Sequence, residues 1–150
     1  MTEENQMLYL AYGSNLNKRQ MAHRCPTAKF ICTSVLEGYE LLFRGGHGSA
    51  VANVEPKKDS SVPVGIWEIA DRDEKALDIY EGYPHLYRKE SVKVKVNGKK
   101  QEVMVYIMNE GKPLNAPSLY YYDVIEEGYC DCNIDTLALE EALSETLRRA

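Results

Sequence analysis

Polar and apolar positions alternate most cleanly over "SVKVKVNGKKQEVMVYIM", where Val92, Val94 and Val96 interleave with lysines and Val103 and Val105 resume the period after Asn97-Gly98. A period of two sends the valines to one face and the lysines to the other, and Asn-Gly suits a tight turn with positive φ. The segment therefore predicts an antiparallel hairpin with one wet face, and its lysines read as a solvated strand surface. "KFICTSVLEGYELLFR" is rich in β-branched and apolar residues and reads as extended chain. "GGHGSAVANVE" enters a further strand through a glycine loop, and "VPVGIWEIA" is expected to form another after the polar loop "PKKDSS". Near the N-terminus an apolar run from Met7 to Tyr12 predicts a strand that stops at Gly13-Ser14-Asn15.

The remaining segments lose the period of two. "NKRQMAHRC" reads as a short helix, begun by the Gly-Ser-Asn turn and ended by Pro26, which has no N–H to extend it. Helical windows follow at "DRDEKALDIYEGY", "SLYYYDVIEEGY" and "DTLALEEALSETLRRA". Because strands and helices do not alternate regularly, a doubly wound parallel sheet is not expected. The expectation is an α+β fold: a small mixed, largely antiparallel β-barrel with flanking helices, forming a single domain over residues 1–150.

Composition narrows the function classes. With 44% hydrophobic residues the chain can enclose one core, and its formal charge of −5 argues against nucleic acid and anionic membranes as partners. The start "MTEENQ" is acidic, and the run from Met7 to Tyr12 is too short for a signal-peptide core or a membrane span. A cytoplasmic location is expected. Cys25, Cys32, Cys130 and Cys132 contain no C-x-x-C pair, and His23, His47 and His85 lack the i, i+4 spacing of paired ligands on a helix. Reduced structural thiols, no metal and no cofactor are the expectation. Nothing around Cys25 resembles a thiol-protease nucleophile.

One carboxylate stands out. Leu77, Tyr80 and Glu81 lie at i, i+3 and i+4, so on a helix Glu81 shares the face that should be buried, whereas Asp78 is expected to face away. A buried carboxyl has a raised pKa, which suits a general acid/base working near neutrality. The spacing also allows Glu81 to end the helix before Gly82 and point to water. The Gly13-Ser14-Asn15 turn also has two readings. It can be ordinary helix-start chemistry, or it can expose backbone N–H groups to a carboxylate or carbonyl oxygen.

Taken together, "YLAYGSNL", "GGHGSAVANVEP", "VGIWEI", "LDIYEGYPHLYRKESVKV" and "PSLYYYDVIEEG", in that order, resemble the gamma-glutamyl cyclotransferase-like family over nearly the whole chain. The resemblance implies that Tyr12, Gly13, Ser14, Asn15 and Leu16 form the substrate loop and that Glu81 is the general acid/base. It implies a substrate-contacting tyrosine in a P-S-x-x-Y setting, which falls on Tyr121, with Tyr120 and Tyr122 as one-residue alternatives. The implied activity is release of 5-oxoproline from a small γ-glutamyl amino acid or amine, by attack of the substrate's own α-amine. The implied fold is a small mixed barrel with flanking helices, and a homodimer is compatible with it. The chain departs from the family pattern at "YEGYPHLYR", whose extra aromatics are expected to reshape the pocket and its leaving-group preference. Two other readings stay open at this point: a binding module without turnover, and a tailoring enzyme that removes a γ-glutamyl group from a natural product.

Overall fold

The computed structural model describes residues 6–150; the acidic start of the chain, residues 1–5, lies outside the described residues. In chain order the elements are β1 (Gln6–Ala11), a 3-10 turn (Ser14–Leu16), α1 (Lys18–Arg24), β2 (Lys29–Arg44) and β3 (Val51–Ala70). They continue with α2 (Asp71–Glu81), β4 (Tyr87–Val96), β5 (Lys99–Met108), α3 (Leu119–Asp131) and α4 (Leu137–Arg149). The five strands form one mixed sheet in the order β2-β3-β1-β5-β4. β1 occupies its centre, antiparallel to β3 from Gln6↔Ala70 to Ala11↔Gly65 and parallel to β5 at Tyr9↔Met104. A strand paired on both sides is apolar where it is enclosed, and from Tyr9 through Leu10 to Ala11 the second half of β1 is buried.

The hairpin expected around Asn97-Gly98 forms as β4–β5, paired from Tyr87↔Met108 to Val96↔Lys99, with positive φ at both turn residues. Its alternation holds as well: Val94 and Val96 are buried, while Lys93 and Lys95 face solvent.

Two expectations need correction. The sheet is not a closed barrel. It curls until Ser34 Oγ of β2 donates to Lys95 O of β4 at 2.6 Å, but among the described residues no backbone ladder joins these two edges. A groove of about 620 Å³, lined in part by Val35, Lys93 and Lys95, separates them instead. Closure needs strand tilt and stagger that bring both edges into register, and here a single side chain bridges the gap. The second correction concerns "PKKDSS", which does not end a strand. β3 runs straight through it, and the register against β2 jumps from Tyr39↔Pro56 to Glu37↔Ser61. The polar residues form a bulge in which Asp59 takes positive φ and Gly38 does so on the facing strand.

The helices hold the open end of β1. α3 lies so close to the 3-10 turn that a Cβ on Gly128 would stand 2.6 Å from Asn17 N and 2.7 Å from the Leu16 carbonyl carbon. Asn17 starts α1 by accepting from Gln20 N, and its Nδ2 reaches across to Val124 O of α3 at 3.0 Å. α2 follows β3 without a loop: the buried Asp73 accepts from Ala70 N at 2.9 Å and from Thr27 Oγ1 at 2.7 Å. Among the described residues no helix is long and apolar enough to cross a membrane, and no cluster of three or more His, Cys, Asp or Glu side chains is placed to hold a metal ion. All four cysteines are free thiols.

Candidate active site

A cavity of about 250 Å³ opens where β1 ends, walled by the turn after β1, the last turn of α2, the starts of β3 and β4, β5 and the first turn of α3. The turn supplies Tyr12, Gly13, Ser14 and Asn15 to its lining. Each of these is fixed from behind. Tyr12 Oη donates to Tyr106 O at 2.7 Å, and Trp67 Nε1 donates to Asn15 O at 3.0 Å. The turn is closed by Leu16 N to Gly13 O and Asn17 N to Ser14 O, both 3.0 Å. The N–H groups of Gly13, Ser14 and Asn15 enter no hydrogen bond within the described residues, as expected of the open end of a 3-10 turn. A side chain at position 13 would meet Ala52 Cβ at 3.3 Å and Tyr121 Oη at 3.5 Å, so glycine keeps this side of the cavity open.

Leu16, expected in the same loop, does not line the cavity. It is fully buried, with Cδ2 filling the space a Cβ on Gly65 would need, and it serves the core beneath the loop.

Glu81 is the last residue of α2. Gly82, at φ +65°, takes the left-handed conformation that ends the helix, and Tyr83 N closes the end on Asp78 O at 2.9 Å. Of the two readings of Glu81, the structure combines parts of both: it stands at the helix end, and it turns into the cavity rather than to water. Leu77, one turn earlier, is fully buried and anchors that face. Tyr80 is not buried as the spacing predicts. It is 43% exposed at the cavity mouth, where its hydroxyl pairs with Ser14 Oγ at 2.7 Å. The Glu81 residue retains some exposure, yet burial of its carboxyl pushes the pKa up to about 7, opposed by the nearby Arg24. Asn15 Nδ2 lies 3.4 Å from Glu81 Oε1.

Asp78 stays outside the cavity lining, as expected, but its side chain is not free. Its carboxylate accepts from Tyr106 Oη at 2.6 Å and pairs with Lys89 Nζ at 2.9 Å. It therefore braces Tyr106, part of the cavity wall, from outside.

α3 carries three consecutive tyrosines, and only Tyr121 lines the cavity. Its Oη accepts from Ala52 N at 3.0 Å. Tyr120 is 72% exposed, and Tyr122 lies against Phe43 at 6.4 Å between ring centroids. Helical rotation of about 100° per residue separates the three, and Ser118, accepting from Tyr121 N, sets the phase.

The sequence reading missed Tyr9, Tyr87 and Tyr106, which complete the wall with Val51, Ala52 and Leu86. Tyr87, in the "YEGYPHLYR" stretch, donates to Ala52 O at 2.6 Å. Burial raises the pKa of Tyr9, Tyr12, Tyr87, Tyr106 and Tyr121, which keeps them neutral donors rather than phenolates. The signal that could have found them is a polar-tipped aromatic inside an otherwise aliphatic strand, as at Tyr9 and Tyr106, since a buried phenol seeks a partner or a ligand. The site thus consists of one carboxyl near neutrality, facing free backbone donors across a pocket of uncharged phenols.

Comparison with known proteins bears on this arrangement. Residues 9–128 match the family model described as gamma-glutamyl cyclotransferase, AIG2-like. Human gamma-glutamylcyclotransferase is 29% identical over 87 residues, covering 53% of this chain and 46% of the human protein, so the match spans less than half of that relative. A solved structure of a gamma-glutamyl cyclotransferase superposes with a TM-score of 0.79 at 27% identity, over 93% of this chain and 87% of that chain. The crystal structure of an uncharacterized human protein gives 0.78 at 28% identity, over 94% and 88%. YkqA from Bacillus subtilis shares the fold, with a TM-score of 0.76 at 20% identity, over 97% of this chain and 54% of its own.

Proposed function

Because this chain belongs to the gamma-glutamyl cyclotransferase, AIG2-like family, we propose that it cleaves a small γ-glutamyl amino acid or amine by ring closure, releasing 5-oxoproline and the free amine. The observation that carries this reading is the Glu81 carboxyl, held near neutrality in one cavity with the open donors of the Gly13–Asn15 turn.

The substrate brings its own nucleophile as an α-ammonium group. Glu81 in its ionised form takes one proton from it, and the freed amine attacks the γ-carbonyl carbon. A C–N bond forms and the carbonyl electrons move to oxygen. As the tetrahedral centre collapses, Glu81 gives its proton to the departing nitrogen and the original amide C–N bond breaks. The attacking nitrogen then gives its second proton to the re-ionised Glu81, which passes it to the released amine, so that a neutral lactam and an ammonium leave and Glu81 ends ionised. A pKa near the working pH suits these transfers, because neither protonation state is costly to reach. The N–H groups of Gly13, Ser14 and Asn15 suit either the substrate's α-carboxylate or the developing oxyanion, and donors fixed in advance stabilise such charge without reorganising. Tyr121, which lines the cavity with its hydroxyl held by Ala52 N, is assigned the contact with the folded γ-glutamyl unit. Ring closure demands a bent substrate, and the small phenol-walled cavity favours that shape over an extended one.

The test is a panel of γ-glutamyl amino acids, amines and peptides incubated with the protein, with 5-oxoproline as the readout. Release is expected from at least one member and from none of the N-acetylated counterparts, which lack the nucleophile. Silence across the panel would favour a binding module, and cleavage of an N-acetyl compound would mean hydrolysis by water.

A further inference from the structure

Arg24, the last residue of α1, lies outside the cavity lining yet touches two residues that line it, Asn15 and Tyr80. Its Nη1 donates to Asn15 Oδ1, its Nη2 donates to Gln20 Oε1 at 2.8 Å, and the guanidinium carbon stands over the Tyr80 ring at 3.5 Å from the centroid. A guanidinium can only donate, so the Asn15 atom facing it must be the amide oxygen. That settles the rotamer of the whole side chain. Nδ2 then points the opposite way, donating to Tyr9 Oη at 2.8 Å and lying 3.4 Å from Glu81 Oε1. With Tyr9 Oη accepting from Nδ2, the phenol proton stays available to a ligand in the cavity that Tyr9 lines. A flipped Asn15 would place its oxygen against the Glu81 carboxylate and lose both donors.

We propose that Arg24 is a positioning residue for the reaction: it locks the Asn15 amide so that Nδ2 faces Glu81 and Tyr9, and its charge sets the field in which Glu81 works. The reaction side of this inference rests on the proposed cyclotransferase activity; the orientation and charge of the site do not. The titratable groups that share the cavity with Glu81 are the phenols of Tyr80 beside it on α2, Tyr9 on β1, Tyr12 in the turn, Tyr87 on β4, Tyr106 on β5 and Tyr121 on α3, and burial raises the pKa of Tyr9, Tyr12, Tyr87, Tyr106 and Tyr121. Among the described residues Arg24 is the cation whose charge reaches the carboxyl. The contact with Tyr80, whose hydroxyl meets Ser14, also ties the guanidinium to the mouth of the cavity.

The experiment compares wild type, Arg24→Gln and Arg24→Lys by two readouts. The first follows the Glu81 carboxyl carbon through a pH titration by NMR, which needs no turnover. An opposite charge nearby moves a carboxyl pKa by roughly one unit or more, so the Arg24→Gln midpoint is expected about one pH unit above wild type. Arg24→Lys keeps the charge and should titrate near wild type. The second readout is kcat and KM for 5-oxoproline release. Lysine cannot hold Asn15 and Gln20 with one flat fork while covering the Tyr80 ring, so its kcat is expected to fall about tenfold or more with little change in KM. An unshifted Glu81 midpoint in Arg24→Gln, or a wild-type kcat in Arg24→Lys, would overturn the inference. If Arg24→Gln does not fold, the Arg24→Lys kcat decides. If the wild type releases no 5-oxoproline, the cyclotransferase reading fails while the titration still decides the role of Arg24.

Discussion

A carboxyl pushed to about pH 7 inside a pocket of phenols costs the fold something whenever it is charged. Its unfolded pKa is near 4.5 and its folded pKa is higher, so the native state binds the extra proton between these values. The native state is therefore favoured below pH 4.5, and stability is lost as pH rises through about 7. The predicted consequence is that Glu81→Gln melts higher than wild type at pH 8, by up to about 3 kcal/mol in stability, and that the gap closes towards pH 4.5. Thermal melts at the two pH values test this; a gap independent of pH would place the carboxyl in water. The same variant is expected to lose about a hundred- to ten-thousand-fold in turnover, the usual worth of general acid/base assistance. In the wild type, kcat/KM should rise with pH on a limb centred near 7. Asp78→Asn serves as a contrast of a different kind. Asparagine keeps an acceptor for Tyr106 and loses the charge that pairs with Lys89, so about 1 kcal/mol of stability and less than tenfold in rate should go. Turnover lost in Asp78→Asn with its melt unchanged would show that the acid is on the wrong residue.

At the scale of elements, the site exists because α3 presses on the turn after β1. Gly128 is the point of closest approach, and the atoms it faces are backbone, which cannot swing aside. Gly128→Ala is expected to cost about 1–3 kcal/mol by denaturant titration, as overpacking does, and to lower turnover because Ser14 and Asn15 shift with the turn. Gly98→Ala is the control: its φ of +83° costs alanine about 1 kcal/mol, but nothing lies within 4 Å and the turn is remote from the cavity. Turnover should be untouched there. An equal loss of turnover in both variants would remove the special role given to α3. Local pattern made the β4–β5 hairpin and the helices legible, because turn chemistry and periodicity act within a few residues. It misread "PKKDSS" as a loop, since five polar residues after a proline look like a break until β2 is available to pair on either side of them.

At the scale of the whole molecule, the sheet is open between β2 and β4, held there by the Ser34–Lys95 contact. Amides on the outer edges of β2 and β4 should exchange with solvent much faster than those of β1, which is paired on both sides. Hydrogen exchange by NMR would read this directly, and equally slow exchange at both edges would mean a closed barrel in solution. Closure was not legible because it depends on how twist and stagger accumulate over five strands, and no local pattern encodes that sum.

By itself the sequence determined the helices, the hairpin and its turn, and the loop and acid that carry the family resemblance, all of which rest on residue identity and short-range spacing. Only the tertiary structure decided which side chains share one cavity. It separated Tyr121 from Tyr120 and Tyr122, moved Leu16 into the core, set Asp78 against Tyr106 from outside the cavity, and added Tyr9, Tyr87 and Tyr106 to the wall. It also gave the Glu81 carboxyl its raised pKa, because desolvation comes from atoms contributed by distant parts of the chain, and a sequence lists those atoms without saying where they meet.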